Sequence, residues 1–242
     1  MDELEEETDI FVLAGVTAAG KTSAALAWAE RGDAEILSCD SLLFYHGMDI
    51  GSAKPSREER ARVPHHGIDL VPVDEPYDVG AYLAYADKVV RDVKKRGKRV
   101  LVVGGSGFYL QAFFAPVVDD VKVEQYLRDQ VREWNETEGM EGLLRRLHEL
   151  NPEGLAGVDV DNPIRVNRAL ERCLASGKTL LALQQSFAAM SFPFRDHRKV
   201  TWVLDREPED LEERIRFRTS SMLANGLDQE VKALRERGLE NN

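Results

Sequence analysis

Gly15-Val16-Thr17-Ala18-Ala19-Gly20-Lys21-Thr22 sets two glycines with four residues between them, followed at once by a cation and a hydroxyl. In such a run the backbone N–H groups curl around an anion while the N-terminus of the next helix points at it. Gly15, Thr17, Ala18, Ala19, Gly20, Lys21 and Thr22 are therefore read as a diphosphate or triphosphate site. A plain glycine turn would have no use for Lys21 at its mouth. Asp40 and Ser41 follow a short apolar run, and Ser106 follows Gly104-Gly105, so a carboxylate and a hydroxyl join the candidate chemistry. A carboxylate there could take a proton, and paired glycines let a ligand approach the backbone. Arg214 and Arg218, four apart, project from one face of a predicted helix.

These residues need a scaffold. Ile10 to Ala14 reads as a strand and Lys21 to Arg31 as an alanine-rich helix, with a second strand from Ala34 to Ser38. In open parallel sheets ligands sit beyond the carboxyl ends of the strands, so Asp40 and Ser41 are expected on the edge that carries the phosphate loop. Leu42 to Pro64 is irregular apart from a short segment, Arg57 to Arg62, and a loop of that length in a compact domain is usually functional. It is locally basic and leads to His65-His66, which have no spaced partners in metal-site order. Gly67 to Val71 is expected to be strand three. The helix period from Val79 to Val93 leads to strand Val100 to Val103, which delivers Ser106 to the active edge. A nucleotide hydrolase would more often end such a strand in an acid that organises Mg²⁺; glycine stands here, with Asp69 as a candidate substitute. The basic run Lys94 to Arg99 feeds the opposite edge and suits a helix C-terminus rather than nucleic acid.

From Val117 to Ser191 strands give way to helical segments: Lys122 to Asn135, Met140 to Leu150, Pro163 to Ala175 and Leu180 to Ala189. Arg165, Arg168 and Arg172 line one helix face there, a pattern most often explained by solvent. A strand from Lys199 to Leu204 and helices from Glu207 to Asn225 and Leu227 to Arg237 complete the chain. The fold class is α/β: a P-loop NTPase-like parallel-sheet core over residues 1–115 and 198–242, with a helical insertion over 116–197.

At 242 residues the chain can bury a core, and its net charge of −11 repels nucleic acid except at a local basic patch. No apolar run approaches the roughly 20 residues of a membrane span, so no membrane association is expected. MDELEEET carries five carboxylates and no basic residue; it reads as an acidic lead-in, not a signal peptide. Two cysteines, Cys39 and Cys173, are too few for a disulfide framework, which points to the cytoplasm. A monomer is expected.

In this order the segments GVTAAGKT, SCDSLLFY, GMDIGSAKP, VPHHGID, GGSGFY, NPIRVNRALERCLASGK and RIRFRTSSMLANGLDQEV resemble the tRNA dimethylallyltransferase family. The phosphate loop is generic; GMDIGSAKP and RVNRALE at these intervals are distinctive. The resemblance implies transfer of a dimethylallyl group from dimethylallyl diphosphate to N6 of adenosine 37, beside the anticodon, in tRNAs reading codons that start with U. It implies that Thr17 to Thr22 hold the diphosphate, that Thr22 helps hold Mg²⁺, and that Asp40 is the general base. Ser106 would position the reacting groups and Arg218 would contact the diphosphate, with Lys21 beside it. Asp40, Ser41, Leu42, Leu43 and Ser106, with Ile164, Arg165, Val166, Asn167 and Arg168, match stretches that touch the anticodon stem-loop.

The sequence departs from the family at Val16 and Ala19, where proline and serine are usual, and neither change removes a backbone amide needed for phosphate. Leu43 and Ile164 stand where glutamine is common, removing amides that could read base edges. Ser106 replaces threonine and keeps the hydroxyl. The chain stops at Asn242, short of the family's usual C-terminal helices. Two other readings use the same residues: an ATP-binding small-molecule phosphotransferase in which Asp40 activates a hydroxyl, and a relative that binds RNA without catalysis.

Overall fold

In a computed structural model, which describes residues 9–242, the chain divides into two units. One runs up to Val117 and resumes from Phe192 to Asn242; the other is Val118–Ser191. The acidic lead-in MDELEEET lies outside the described residues.

The described residues of the first unit form a five-stranded sheet, parallel in every pairing, from β1 (Ile10–Gly15), β2 (Ala34–Ser38), β3 (His65–His66), β4 (Arg99–Val103) and β5 (Lys199–Leu204). The strand order is β3-β2-β4-β1-β5. Helices α1 (Lys21–Arg31) and α3 (Val79–Lys95) account for the apolar runs, because a sheet covered on both faces alternates between two cores. Ile10, Val12, Leu37, Val100 and Val102 face Tyr82, Ala86, Val90 and Val93 of α3. Their neighbours Phe11, Leu13, Ile36 and Leu101 face Ala25, Leu26 and Ala29 of α1. Each central strand is thus buried on both sides, which fixes its position in the sheet and where it ends.

Two glycines set how closely the strand ends approach. A Cβ on Gly104 would lie 2.0 Å from the Cys39 carbonyl oxygen, and one on Gly15, with φ 151°, would lie 2.3 Å from that of Leu204. Any side chain at either position would push apart the strand ends that carry the site.

Strand three is shorter and earlier than the apolar pattern of Gly67 to Val71 suggests. It is confined to His65–His66, paired with Ile36 and Leu37. Beyond it the chain turns, with Asp69 at φ 53°. Asp69 accepts from Lys54 Nζ at 2.5 Å and from Arg60 at 3.2 Å, so this carboxylate is committed to closing the long loop and is not a substitute metal acid. Lys54, whose side chain is almost fully buried, also bonds the Tyr45 carbonyl and pairs with Asp49. Within the loop, α2 (Arg57–Arg62) starts in a capping box between Ser56 and Glu59.

The basic run after α3 is likewise neutralised locally. Arg96 and Lys98 approach the buried Glu35 carboxylate, which also holds His66 at 2.6 Å, and Lys94 pairs with Asp9. After β4 come α4 (Gly107–Gln111) and, following β5, α8 (Pro208–Ala224) and α9 (Leu227–Glu236).

The second unit packs α5 (Gln125–Leu150), α6 (Pro163–Ser176) and α7 (Leu180–Ala188) around Val131, Leu143, Leu147, Val166, Leu170 and Cys173. α5 leaves helical geometry at Gly139, the break between the two helices expected from the sequence. Buried Asn151 joins the helix ends: its amide donates to the Leu147 carbonyl and its oxygen accepts from Leu180 N–H at 2.6 Å.

Candidate active site

Lys21 sits at the first position of α1, and its Nζ bends back to the carbonyl oxygens of Gly15 and Val16, 2.8 Å from each. These two bonds close the loop on itself, and Ala18 and Gly20 both stand at positive φ. Two guanidinium groups brace it from outside. Arg214 Nε donates to the Ala18 carbonyl at 2.8 Å and Arg206 Nε to that of Ala19 at 3.0 Å. With these carbonyls occupied by donors, the loop N–H groups and helix N-terminus remain the natural partners of an anion.

A cleft of about 770 Å³ opens over the loop. Thr17, Ala18, Gly20, Lys21 and Thr22 contribute to its wall. From the ends of β2 and β4 come Asp40, Leu43 and Ser106, and from α8 come Arg214 and Arg218. Asp40 follows the end of β2; one carboxylate oxygen accepts the Leu42 N–H at 3.1 Å and its own carbonyl accepts Leu43 N–H. The turn holds the carboxylate in place while leaving its second oxygen able to accept a proton. Ser106 precedes α4, and its side chain makes no capping hydrogen bond, so the hydroxyl is not consumed by the helix. Burial lowers the pKa of Lys21; Asp40 opposes that shift and Arg218 adds to it. The mutual influence of these three charges reflects their grouping around one space.

Among the residues expected to bind diphosphate, Gly15 and Ala19 do not form the cleft wall. Gly15 allows β1 to approach β5, and Ala19 is fully buried with its carbonyl on Arg206. Both act through the shape of the loop. Ser41 and Leu42 form the turn after Asp40 and are likewise not part of the wall, whereas Leu43 is. His65 also lines the cleft, with Nδ1 2.7 Å from the Val63 carbonyl.

In the helical unit, Ile164, Asn167 and Arg168 line a separate cavity of about 440 Å³ with Arg128 and Arg172. Asn162 caps α6 by accepting from Ile164 and Arg165 N–H, and leaves Ile164 two-thirds exposed. Val166 corrects the sequence reading: its side chain is fully buried in the unit's core, so it supports this stretch from beneath and cannot present its side chain to RNA. The arginine stripe is also partly neutralised, Arg165 by Asp159 and Arg172 by Asp119.

Two contributors escaped the sequence reading. Arg206 lies two residues beyond the end of β5, and the strand-end rule that selected Asp40 could have selected it too. Glu230 gives no local signal. Its carboxylate accepts the N–H groups of Asp49, Ile50 and Gly51 at 2.9, 2.7 and 2.8 Å, fixing a loop whose continuation, Ser52 and Ala53, lines the cleft.

A divalent cation would find few protein ligands. Among the described residues no group of three His, Cys, Asp or Glu side chains is placed to hold one. Thr22 offers a hydroxyl on the cleft wall, a donor set that fits a hard ion held mostly by diphosphate oxygens and water.

A family model described as IPP transferase matches residues 43–242. The chain is 52% identical over 231 residues to a tRNA dimethylallyltransferase of Opitutus terrae, covering 96% of this chain and 74% of that one. It is 37% identical over 234 residues to a second, from Geobacter metallireducens, covering 97% and 75%. Among solved structures, a eukaryotic dimethylallyltransferase acting on tRNA superposes with a TM-score of 0.80 at 26% identity, over 96% of this chain and 57% of that one. The tRNA isopentenylpyrophosphate transferase of Bacillus halodurans superposes with a TM-score of 0.61 at 29% identity, over 96% and 71%.

Proposed function

The chain belongs to the IPP transferase family, and we propose that it moves a dimethylallyl group from dimethylallyl diphosphate to N6 of adenosine 37 in the anticodon stem-loop of tRNAs reading codons that start with U, releasing diphosphate. It is a transferase that acts on tRNA. The observation that carries the finer reading is that one cleft holds both the phosphate loop and Asp40.

The chemistry asks for two things. An adenine amino group is a weak nucleophile because its lone pair is delocalised into the ring, so a carboxylate that takes its proton as the C–N bond forms lowers the barrier. Asp40 is held for this by the Leu42 N–H. The allylic carbon parts from diphosphate easily once the departing charge is neutralised. Loop amides, Lys21 and Arg218 supply that neutralisation, and Ser106 offers a hydroxyl to the reacting groups. Mg²⁺, held by Thr22 together with the diphosphate oxygens, would add positive charge at the leaving group. The target base must leave its stack to enter, which costs least in a loop. The segment Ile164 to Arg168, with the exposed Ile164 and Arg168 beside its own cavity, offers a surface for the stem. Leu43, lining the cleft, can pack against a base but cannot hydrogen-bond its edge. Among the described residues no helix is long and apolar enough to cross a membrane, and the working place proposed is the cytoplasm.

The test is direct. Incubation with dimethylallyl diphosphate, Mg²⁺ and unmodified tRNA should give isopentenyladenosine by mass spectrometry. Asp40→Ala should abolish product while tRNA still binds, and normal turnover by that variant would remove the base assignment.

A further inference from the structure

Helix α8 stands at the edge of the cleft rather than in the core. None of its residues is buried, and Arg214 bonds the phosphate loop from its middle. Glu213, Arg214, Phe217 and Arg218, spaced i, i+1, i+4 and i+5, all line the cleft and so make up one helical stripe. The arginines in that stripe have their work at the loop and the diphosphate. Phe217 does not, and at 77% exposure it is the most exposed large apolar side chain among the described residues. A single exposed phenyl ring is unremarkable on an outer surface. On the wall of a cleft, beside two cations, it has a possible ligand.

The two substrates make different demands on such a ring. The five-carbon chain is short and tethered to the diphosphate, and its allylic cation must be kept from water. A ring that is three-quarters exposed gives little shelter of that kind. A purine drawn out of an anticodon loop has lost its stacking partners on both faces, and an aromatic side chain at the point of entry replaces one of them. We propose that Phe217 is the platform on which the target adenine stacks as it enters the cleft, an inference that rests on the adenine-prenylating reading above. A phenyl ring has no hydrogen-bonding group, so Phe217 holds the face of the base and leaves its edge to other residues.

The test uses the full chain, dimethylallyl diphosphate, and two anticodon stem-loop RNAs, one with adenosine at position 37 and one abasic there. Phe217→Ala should raise KM for the adenosine RNA by roughly 5- to 100-fold, the usual range for loss of one base–aromatic stack. KM for dimethylallyl diphosphate should stay within about twofold, and Phe217→Tyr should restore the RNA value. Because the side chain is exposed, neither change threatens the fold. In Phe217→Trp, the fluorescence of the new indole should be quenched by the adenosine RNA, but not by the abasic RNA or by dimethylallyl diphosphate alone. The inference is overturned if Phe217→Ala leaves the RNA KM unchanged, if it raises KM for dimethylallyl diphosphate instead, or if both RNAs quench the indole equally. A wild-type chain that binds RNA but forms no product would sink the prenyl-transfer reading, and the fluorescence comparison would still decide whether the base stacks.

Discussion

Arg214 Nε donates to the Ala18 carbonyl at 2.8 Å, joining residues 196 positions apart in the chain. Ala18 is a non-glycine residue at φ 65°, a conformation that needs outside support to persist. Arg214→Ala should therefore loosen the loop as well as remove a charge, raising KM for dimethylallyl diphosphate about tenfold, the order expected for a charged hydrogen bond. Steady-state kinetics against each substrate checks it. Arg214→Lys should restore little, since an ammonium cannot reproduce the planar fork.

Lys21 gives the site an alkaline limit. Its pKa is lowered by burial, with Asp40 opposing and Arg218 reinforcing the shift. The cation that attracts diphosphate is thus lost at a lower pH than in a free lysine. Inhibition by inorganic pyrophosphate should weaken as pH rises through the alkaline range. In Arg218→Ala the midpoint of that decline should move to higher pH, whatever the overall loss of affinity. An unmoved midpoint would mean that the two cations do not share the site.

Glu230 fastens the loop Asp49–Gly51 to α9 through three backbone N–H groups. Removing the carboxylate in Glu230→Ala leaves those donors to water, because Asp49 and Gly51 are exposed, and the expected loss is about 2 kcal/mol. Chemical denaturation should report it. Hydrogen exchange at residues 49–51 should accelerate more than elsewhere, and Glu230→Gln, which keeps one acceptor oxygen, should fall between the two.

Glu35 ties the far edge of the sheet together and makes stability depend on pH. Burial pushes its carboxyl up, but hydrogen bonds and charge from Arg96 and His66 outweigh this and the pKa falls below the usual value. A depressed carboxylate stabilises the fold above its unfolded pKa, and that contribution disappears as pH falls through the lower folded value. Glu35→Gln should cost about 2 kcal/mol near neutrality, less than a fully buried pair because Arg96 is half exposed. The gap from wild type should close in acid. Thermal melts between pH 7 and pH 3 would show whether it does.

The sequence by itself determined the parts that depend on neighbours along the chain. Ile10 to Ala14, Lys21 to Arg31 and Val100 to Val103 declare their secondary structure through apolar runs and periodicity, and Lys21 and Thr22 declare the anion site through spacing. Asp40 was reached by a general rule about strand ends. The strand expected at Gly67 to Val71 lies instead at His65–His66, because an edge strand two residues long has no period to read. Tertiary structure alone decided that Val166 is buried, that Asp69 is taken by Lys54 and Arg60, and that Glu230 holds the loop after Gly47. It also put Arg206, Arg214 and Phe217 beside a loop encountered almost 200 residues earlier. Local pattern records which face of an element is apolar; which distant polar group meets it is fixed only when the sheet orders its strands and their ends converge on one edge.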